Sequence, residues 1–294
     1  MKIATHSGGF HPDDIFAVAT ILLFTKEKKA EIVRTRDPKL IDSADYVVDV
    51  GGVYDPSKRK FDHHMPLGAG ERQNGVPYAS FGLVWKEFGE NLCGSKKIAE
   101  EIDKLIVAQT DALDCGVGEK KPIVDEVYAY DLSKMVMAMD PTWREKKYDT
   151  DKAFLKLVSW AQKILKREIK VAKDTDKGQK IVEKAYKKAS DKRIVVMEEA
   201  LPYEFVLNKY PEPLLVVFPN SEGDWRAKAV RDDPRSFVDR VNFPESWAGL
   251  RSEELARVSG VSDAIFCHNK RFMSVAKTRE GAIKLAKIAI GENI

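Results

Sequence analysis

The sequence contains few cysteines and none of the spacings that cysteine chemistry uses. Its 294 residues include only Cys93, Cys115 and Cys267, and no two of them form a Cys-x-x-Cys pair. This usage argues against both a disulfide framework and a cysteine zinc site. It suits a reducing compartment, and we expect a cytoplasmic protein.

Long apolar runs are also missing, and we expect no N-terminal signal peptide. No apolar stretch approaches the ~20 residues that a membrane-spanning helix needs. The first residues, Met-Lys-Ile-Ala-Thr, enter a strand pattern at once. We therefore expect no membrane partner. The formal net charge of +3 is too small to indicate an anionic partner by itself.

The chain is longer than a typical single domain. Strand patterns alternate with helix patterns in its first part, which predicts an α/β fold with a doubly wound, mainly parallel sheet. We expect a catalytic domain at residues 1–145, a helical, lysine-rich connector at 146–192 and a smaller C-terminal α/β domain at 193–294.

Residues 46–52, Tyr-Val-Val-Asp-Val-Gly-Gly, predict a buried strand that ends at the carboxylate of Asp49. A second short run then delivers Asp62, His63 and His64 side by side. Three such side chains beside an acidic strand end are costly in a core unless a metal ion binds them. The alternative is a surface turn with adjacent histidines.

The loop after the first strand carries His6, His11 and Asp13, which are nitrogen and oxygen ligands. Its glycine spacing matches neither the dinucleotide fingerprint nor the P-loop. In a parallel sheet this loop and Asp49 lie beyond the same strand ends, where ligands bind. Asp13 or Asp14 could instead cap the apolar helix that follows, with the histidines in solvent.

Two further segments carry polar groups that could serve a site. Asp111 and Asp114 are three residues apart and share a helix face, either as metal ligands or as a solvated helix end. Residues 67–77 form a glycine-containing loop that is either a lid or a surface loop. Ser80 follows this loop and is placed to cap the next helix.

The second half gives weaker signals. Helices at 151–169 and 177–189, separated by a polar break at 174–178, carry lysines from Lys152 to Lys192. This tract either follows a nucleic-acid backbone or is a solvated face. A helical pattern at 125–139 predicts methionines packed in the core. Strands are predicted at 194–197, 204–207, 214–219 and 224–230, and a last helix at 280–290.

Four motifs together resemble the DHH phosphoesterase superfamily. They are Thr-His-x-Gly-x-Phe-His-x-Asp at the start, Val-Asp-Val-Gly-Gly-Val-Tyr-Asp-Pro, Phe-Asp-His-His and Phe-Pro-Glu-Ser-Trp-Ala-Gly-Leu-Arg. The resemblance is closest to the branch of metal-dependent RNA exonucleases related to the melanocyte-proliferating-gene product, and it covers nearly the whole chain. Members of the wider superfamily commonly have aspartate where His11 stands.

The resemblance implies a divalent-metal site, usually manganese, and a C-terminal domain that holds substrate. The implied metal ligands are His6, His11, Asp13, Asp49, His63 and Asp111. Imidazole and carboxylate ligands without thiolate suit Mn²⁺, with Mg²⁺ as an alternative, and Asp49 could bridge two ions. We expect His64 to meet the phosphate and Asp62 to orient His63.

In the C-terminal domain the resemblance assigns substrate binding to Trp247, Arg251, His268 and Lys277. Arginine and lysine suit phosphate, and tryptophan suits base stacking. Two alternatives stay open, because Trp247 could be a core residue and His268 a structural one.

We therefore expect a manganese-dependent phosphoesterase, most specifically a 3′-to-5′ exonuclease on RNA or single-stranded nucleic acid. The enzyme alternative is a phosphatase of dinucleotides or pyrophosphate. The non-enzymatic alternative is a metal-dependent nucleic-acid-binding protein, although the full ligand set favours catalysis. The sequence leaves the oligomeric state open.

Overall fold

The computed structural model of the protein describes residues 1–118, 121–233 and 235–292. It is an α/β protein with two five-stranded sheets, which confirms the predicted class. Two compact units form, Met1–Lys173 and Asp174–Ile294. In the described ranges, no helix is both long enough and apolar enough to cross a membrane.

The first unit begins with the predicted alternation of strands and helices, which holds as far as the third strand. A π-helical turn, Asp103–Val107, lies between the helices Lys96–Ile102 and Ala108–Asp114. The elements are β1 (Lys2–Thr5), α1 (Pro12–Thr25), β2 (Glu31–Arg34), α2 (Pro38–Asp42), β3 (Tyr46–Val48), β4 (Tyr54–Asp55), β5 (Lys60–Phe61), α3 (Ser80–Cys93), α4 (Lys96–Ile102), α5 (Ala108–Asp114), α6 (Leu132–Met137) and α7 (Thr150–Lys188).

The first sheet has the strand order β2-β1-β3-β5-β4. Its first four strands are parallel, and only β4 runs antiparallel, against β5. The carboxyl ends of β1, β3 and β5 therefore meet at one edge. The doubly wound arrangement stays a prediction.

Helices α1 and α3 pack together and bury the sheet. Residues 12–21 of α1 are all buried, so this helix is enclosed on every side, as its apolar sequence predicts. Phe16 lies 5.4 Å from Phe81 of α3, measured between ring centroids. This packing holds the first turns of α1 and α3 beside the strand ends.

Helix α7 runs without interruption from Thr150 to Lys188, so the predicted break at 174–178 is wrong. Gly178 sits inside this helix because a Cβ there would lie 2.7 Å from the Pro202 ring. The polar residues of the expected break are tolerated because neighbouring turns bury apolar side chains such as Val182.

The second unit is built on a mixed sheet of order β6-β7-β8-β10-β9. Strands β6 and β7 are parallel, and the other neighbours are antiparallel. Leu285 of α10 packs in one core cluster with Ala227 and Ala276 of the sheet. The elements are β6 (Ile194–Val196), α8 (Glu204–Leu207), β7 (Leu215–Pro219), β8 (Trp225–Ala229), α9 (Ser252–Ser259), β9 (Ala264–Cys267), β10 (Met273–Ala276) and α10 (Arg279–Ala289).

Two predictions about local structure are wrong. Residues 204–207, predicted as a strand, form the helical turn α8, because a four-residue apolar run does not distinguish the two states. The helix predicted at 125–139 is only Leu132–Met137. Met135 and Met139 are 43% and 42% exposed, so these methionines are not core residues.

Candidate metal centre

The site begins at the ends of three adjacent parallel strands. His6 directly follows β1, Asp49 follows β3 and Asp62 follows β5. Asp49 adopts a φ of 56°, in the left-handed region that aspartate tolerates better than most residues. Its backbone N–H donates to the Phe61 carbonyl at 3.1 Å, which ties this bend to β5. The fold thus collects one chemically active side chain from each strand.

Asp49 lies at the centre of the site. One carboxylate oxygen is 3.4 Å from His6 Nε2, and the other is 3.2 Å from His63 Nε2. The Ser80 hydroxyl donates to the second oxygen at 3.2 Å. The two oxygens of Asp49 therefore face different histidines, and each can serve a different set of ligand atoms.

A first group of ligand atoms combines His6, His11 and Asp49, and these atoms lie within 4.8 Å of one another. Asp14 is adjacent, with an oxygen 3.2 Å from His6 Nε2. Burial raises the pKa of Asp14. Neither Asp13 nor Asp14 caps α1, because the N-cap is His11 and it makes no side-chain cap bond. Asp14 therefore faces the site.

A second group combines Asp13, His63 and Asp114 within the same distance of one another. An oxygen of Asp114 is 3.2 Å from His63 Nε2, and the other is 3.4 Å from His11 Nδ1. Burial acts to raise the pKa of Asp114, but the nearby His11 and His63 rings outweigh burial and lower the pKa. The buried Asp13 carboxylate accepts backbone N–H groups at the start of α3.

Asp111 is set apart from these groups. It accepts the Gly82 N–H at 3.0 Å, and its other oxygen is 2.8 Å from Arg72 Nη2. Burial raises the pKa of Asp111 to about 7 although Arg72 acts against this. Arg72 also pairs with Asp103 at 2.8 Å, which anchors the loop 67–77. The structure therefore brings Asp114 to the histidines, where we expected Asp111.

Asp62 holds His64, whereas we expected it to orient His63. One carboxylate oxygen lies 2.8 Å from His64 Nδ1 and also accepts the backbone N–H groups of His63 and His64. The other oxygen accepts the Gly52 N–H. The His63 ring instead has Cys115 Sγ at 3.8 Å from Nδ1. The His64 side chain is 62% exposed, so a substrate can reach it.

The donor set fits divalent metal ions. In the described ranges, His6 Nε2, His63 Nε2 and both oxygens of Asp14 are buried without a hydrogen-bond partner, despite their close contacts. Several carboxylates buried together repel one another and are costly without a cation. Imidazole nitrogens and carboxylate oxygens suit manganese and related first-row ions.

A cavity of about 280 Å³ opens beside these residues. Gly51 and Gly52 lie on its wall at positive φ, which suits a turn that non-glycine residues rarely adopt. Arg36 lines the same cavity and, within the described part of the chain, has no ion-pair partner. Sequence reasoning missed Arg36. Its position just beyond β2, the neighbour of β1, was the available signal.

The four substrate residues predicted for the second unit differ in accessibility. Trp247 is only 2% exposed and stacks on Phe243, which favours the core alternative. Arg251 is exposed, with its guanidinium 4.6 Å from the centre of the Phe266 ring. His268 is half-buried and Lys277 is exposed.

Comparison with known proteins places the chain in a family. Residues 2–290 match the MYG1 exonuclease model, which is described as an uncharacterised protein family, UPF0160. The MYG1 exonuclease of Homo sapiens is 31% identical over 99% of this chain and 86% of its own length. A MYG1 protein of Schizosaccharomyces pombe is 30% identical over 99% of this chain and 97% of its own length. The chain therefore belongs to the MYG1 exonuclease family.

Proposed function

We propose that the protein is a metal-dependent phosphodiesterase that removes nucleotides from the 3′ end of RNA or single-stranded nucleic acid. The observation that carries this proposal is the position of Asp49 between two groups of ligand atoms. Relatives named exonucleases support a nuclease function. Manganese is the ion that the mixed nitrogen and oxygen donors suit best, and Mg²⁺ is the alternative.

The two groups would divide the ligands between two ions. His6, His11 and Asp49 would hold one ion, with Asp14 beside it. A second set, Asp13, His63 and Asp114, would hold the other, with Asp49 shared. When bound, such a pair supplies an activated water as nucleophile and positive charge beside the phosphoryl oxygens.

The remaining side chains handle the substrate and its proton. Asp62 keeps His64 oriented through Nδ1, which leaves Nε2 for the substrate. Protonated His64 would donate its Nε2 proton to the leaving oxygen as the phosphorus–oxygen bond breaks. Arg36, at the rim of the cavity, would hold a non-bridging phosphate oxygen.

A second candidate function is hydrolysis of dinucleotides or pyrophosphate. The size of the cavity favours it, because about 280 Å³ suits a small substrate rather than a long polymer segment. Both candidates use the same ligands and the same His64, so only their contacts outside the cavity differ. The Asp62–His64 pair does not favour the non-catalytic alternative, because nucleic-acid binding alone would not require such a pair.

The test compares RNA labelled at its 5′ end with the same RNA labelled at its 3′ end. With Mn²⁺ we expect a ladder of shortened products from the first and immediate release of labelled mononucleotide from the second. Chelator should abolish both, and Mn²⁺ should restore them better than Ca²⁺, which prefers all-oxygen sites. Full activity in excess chelator would refute metal dependence. Release of mononucleotide only from the 5′ end would refute the polarity.

A further inference from the structure

Strand β6 is at the edge of the second sheet, and its outer side faces a slot between two helices. Val182 and Tyr186 of α7 pack in one cluster with Val195 of β6. Leu285 of α10 packs in another cluster with Ile194 of β6. Because successive residues of a strand point to opposite faces, α7 and α10 lie on opposite faces of the sheet at β6. The slot therefore occupies the place of a further strand.

The slot is a cavity of about 640 Å³. Ile181 and Ala185 of α7 line one wall, and Ile283 of α10 lines the other. Ile181 is 50% exposed and Val196 of β6 is half-buried, so the slot is open to solvent. The α10 wall runs over residues 279–287, about 12 Å, which is the length of about four strand residues.

Only alternate residues of β6 hydrogen-bond to β7. The Arg193 carbonyl accepts a β7 N–H at 3.0 Å, and the Met197 N–H donates to a β7 carbonyl at 2.8 Å. Val195, midway between them, belongs to the same set in the parallel register. The backbone groups of the two intervening residues, Ile194 and Val196, therefore point away from β7 and toward the slot.

Most of these outward backbone groups are unpaired. The Ile194 N–H donates to the Asp191 carbonyl at 3.3 Å. In the described ranges, the Ile194 carbonyl and both backbone groups of Val196 have no hydrogen-bond partner within the protein. One N–H and two carbonyls thus face the slot, and an added strand, parallel or antiparallel, pairs with all three.

Free cations line the α7 side of the slot. Lys184 and Lys188 have no ion-pair partner in the part of the chain that the structure describes. On the α10 side, Arg279 and Lys287 lie 3.3 Å and 3.7 Å from glutamate oxygens, so their charges are balanced. Glu199 also lines the slot, but it lies past the carboxyl end of β6. Acidic side chains toward α7 and apolar ones toward α10 complement the two walls.

We propose that the slot binds an extended peptide segment of a partner protein, which adds to β6 as a sixth strand with alternating acidic and apolar side chains. This inference is independent of the phosphodiesterase site. A fatty acid is a poorer occupant, because its chain would leave the three backbone groups unpaired. A second copy of the chain is also a poorer occupant, because its own β6 is recessed between the same two helices.

The probe is a fluorescein-labelled octapeptide with capped ends that alternates glutamate and valine. Its binding to the full chain is measured by fluorescence anisotropy. In an added strand the residues that pair with β6 are either all glutamates or all valines, because their direction alternates. N-methylation of one of these two sets should therefore abolish binding, and N-methylation of the other should leave the affinity unchanged.

Amide hydrogen exchange, followed by NMR, locates the bound peptide. We expect the Val196 N–H to exchange more slowly when the peptide is present, whereas the Val195 N–H, already bonded to β7, should change little. Lys184→Glu should weaken binding about fivefold, because it reverses one charge beside the acidic side chains. Lys284→Glu, at an exposed cation of α10 outside the slot, is the matched control and should not change the affinity.

Three results would overturn the inference. The first is no binding of the unmethylated peptide. Equal affinity of the unmethylated peptide and both N-methylated peptides is the second, because binding would then not use the backbone of an added strand. The third is a concentration-dependent sedimentation of the chain alone that Lys184→Glu abolishes, which would make a second copy the occupant of the slot.

Discussion

The pair of residues that best tests the site is His64 and Asp49, because the structure gives them different tasks. His64 is mostly exposed and held by Asp62, whereas Asp49 is buried between His6 and His63. We expect His64→Ala to keep bound manganese near the wild-type level and to reduce turnover about 10²- to 10⁴-fold. At about 1.4 kcal/mol per factor of ten, this loss raises the barrier by about 3 to 6 kcal/mol.

Comparing substrates with different leaving groups makes this prediction more specific. A ribose hydroxyl needs a proton as it leaves, but p-nitrophenolate does not. The loss of turnover in His64→Ala should therefore be large with RNA and small with bis(p-nitrophenyl) phosphate. Single-turnover rates with both substrates, at saturating Mn²⁺, measure the difference. Equal losses with the two substrates would refute a role for His64 as the acid.

Asp49→Asn should lose metal and activity together, because in the proposed two-ion site it removes a charge that both ions would share. Asparagine also tolerates the left-handed backbone at this position, so the substitution adds little strain. Asp42→Asn, at a carboxylate that is 73% exposed, is the control and should retain both. Bound manganese is measured by mass spectrometry after dialysis. If His64→Ala loses metal as severely as Asp49→Asn, His64 is a ligand, as its place in a group with Asp49 and His63 would permit.

Three further outcomes are expected. Asp114→Asn should lower manganese affinity more than Asp111→Asn in a titration, and the reverse order would restore Asp111 as the ligand. Arg36→Gln should raise KM for RNA and leave metal content unchanged, while loss of metal would contradict a phosphate contact. Raising salt should weaken longer RNA more steeply than a dinucleotide if the lysines of 152–192 follow the backbone. Equal salt slopes for the two ligands in filter binding would indicate that these lysines form only a solvated face.

The ends of the strands could be predicted from the sequence. An apolar run into a lone carboxylate marks a strand end, and parallel strands bring such ends together. His6, Asp49 and the Asp62–His64 run are adjacent for this reason. In the sheet β1 is next to β3 and β3 is next to β5, so no other strand separates these side chains.

The choice between Asp111 and Asp114 could not be predicted in the same way. Both lie on α5, three residues apart. The π-helical turn Asp103–Val107 directly precedes this helix. One extra residue rotates everything after it by about 100°. Sequence patterns do not reveal such a turn, and the phase of the helix decides which carboxylate reaches His63.

The side-chain partners within the site could not be predicted from the sequence either. We expected Ser80 to cap its own helix, but the N-cap is Ala79. The Ser80 hydroxyl instead donates to Asp49. A cap is a local interaction that sequence spacing can indicate, whereas this contact joins residues 31 positions apart. Its existence depends on the packing of α3 against the sheet.

That packing explains how several buried carboxylates can coexist at the site. The first three residues of α3, namely Ser80, Phe81 and Gly82, donate backbone N–H groups to Asp13 and Asp111. These are the free donors of a helix N-terminus, where the helix dipole also favours negative charge. Gly82 is required there because a Cβ would lie 1.9 Å from the Asp111 carboxylate. The N-terminus of α3 therefore stabilises part of the acidic cluster, Asp13 and Asp111, by itself.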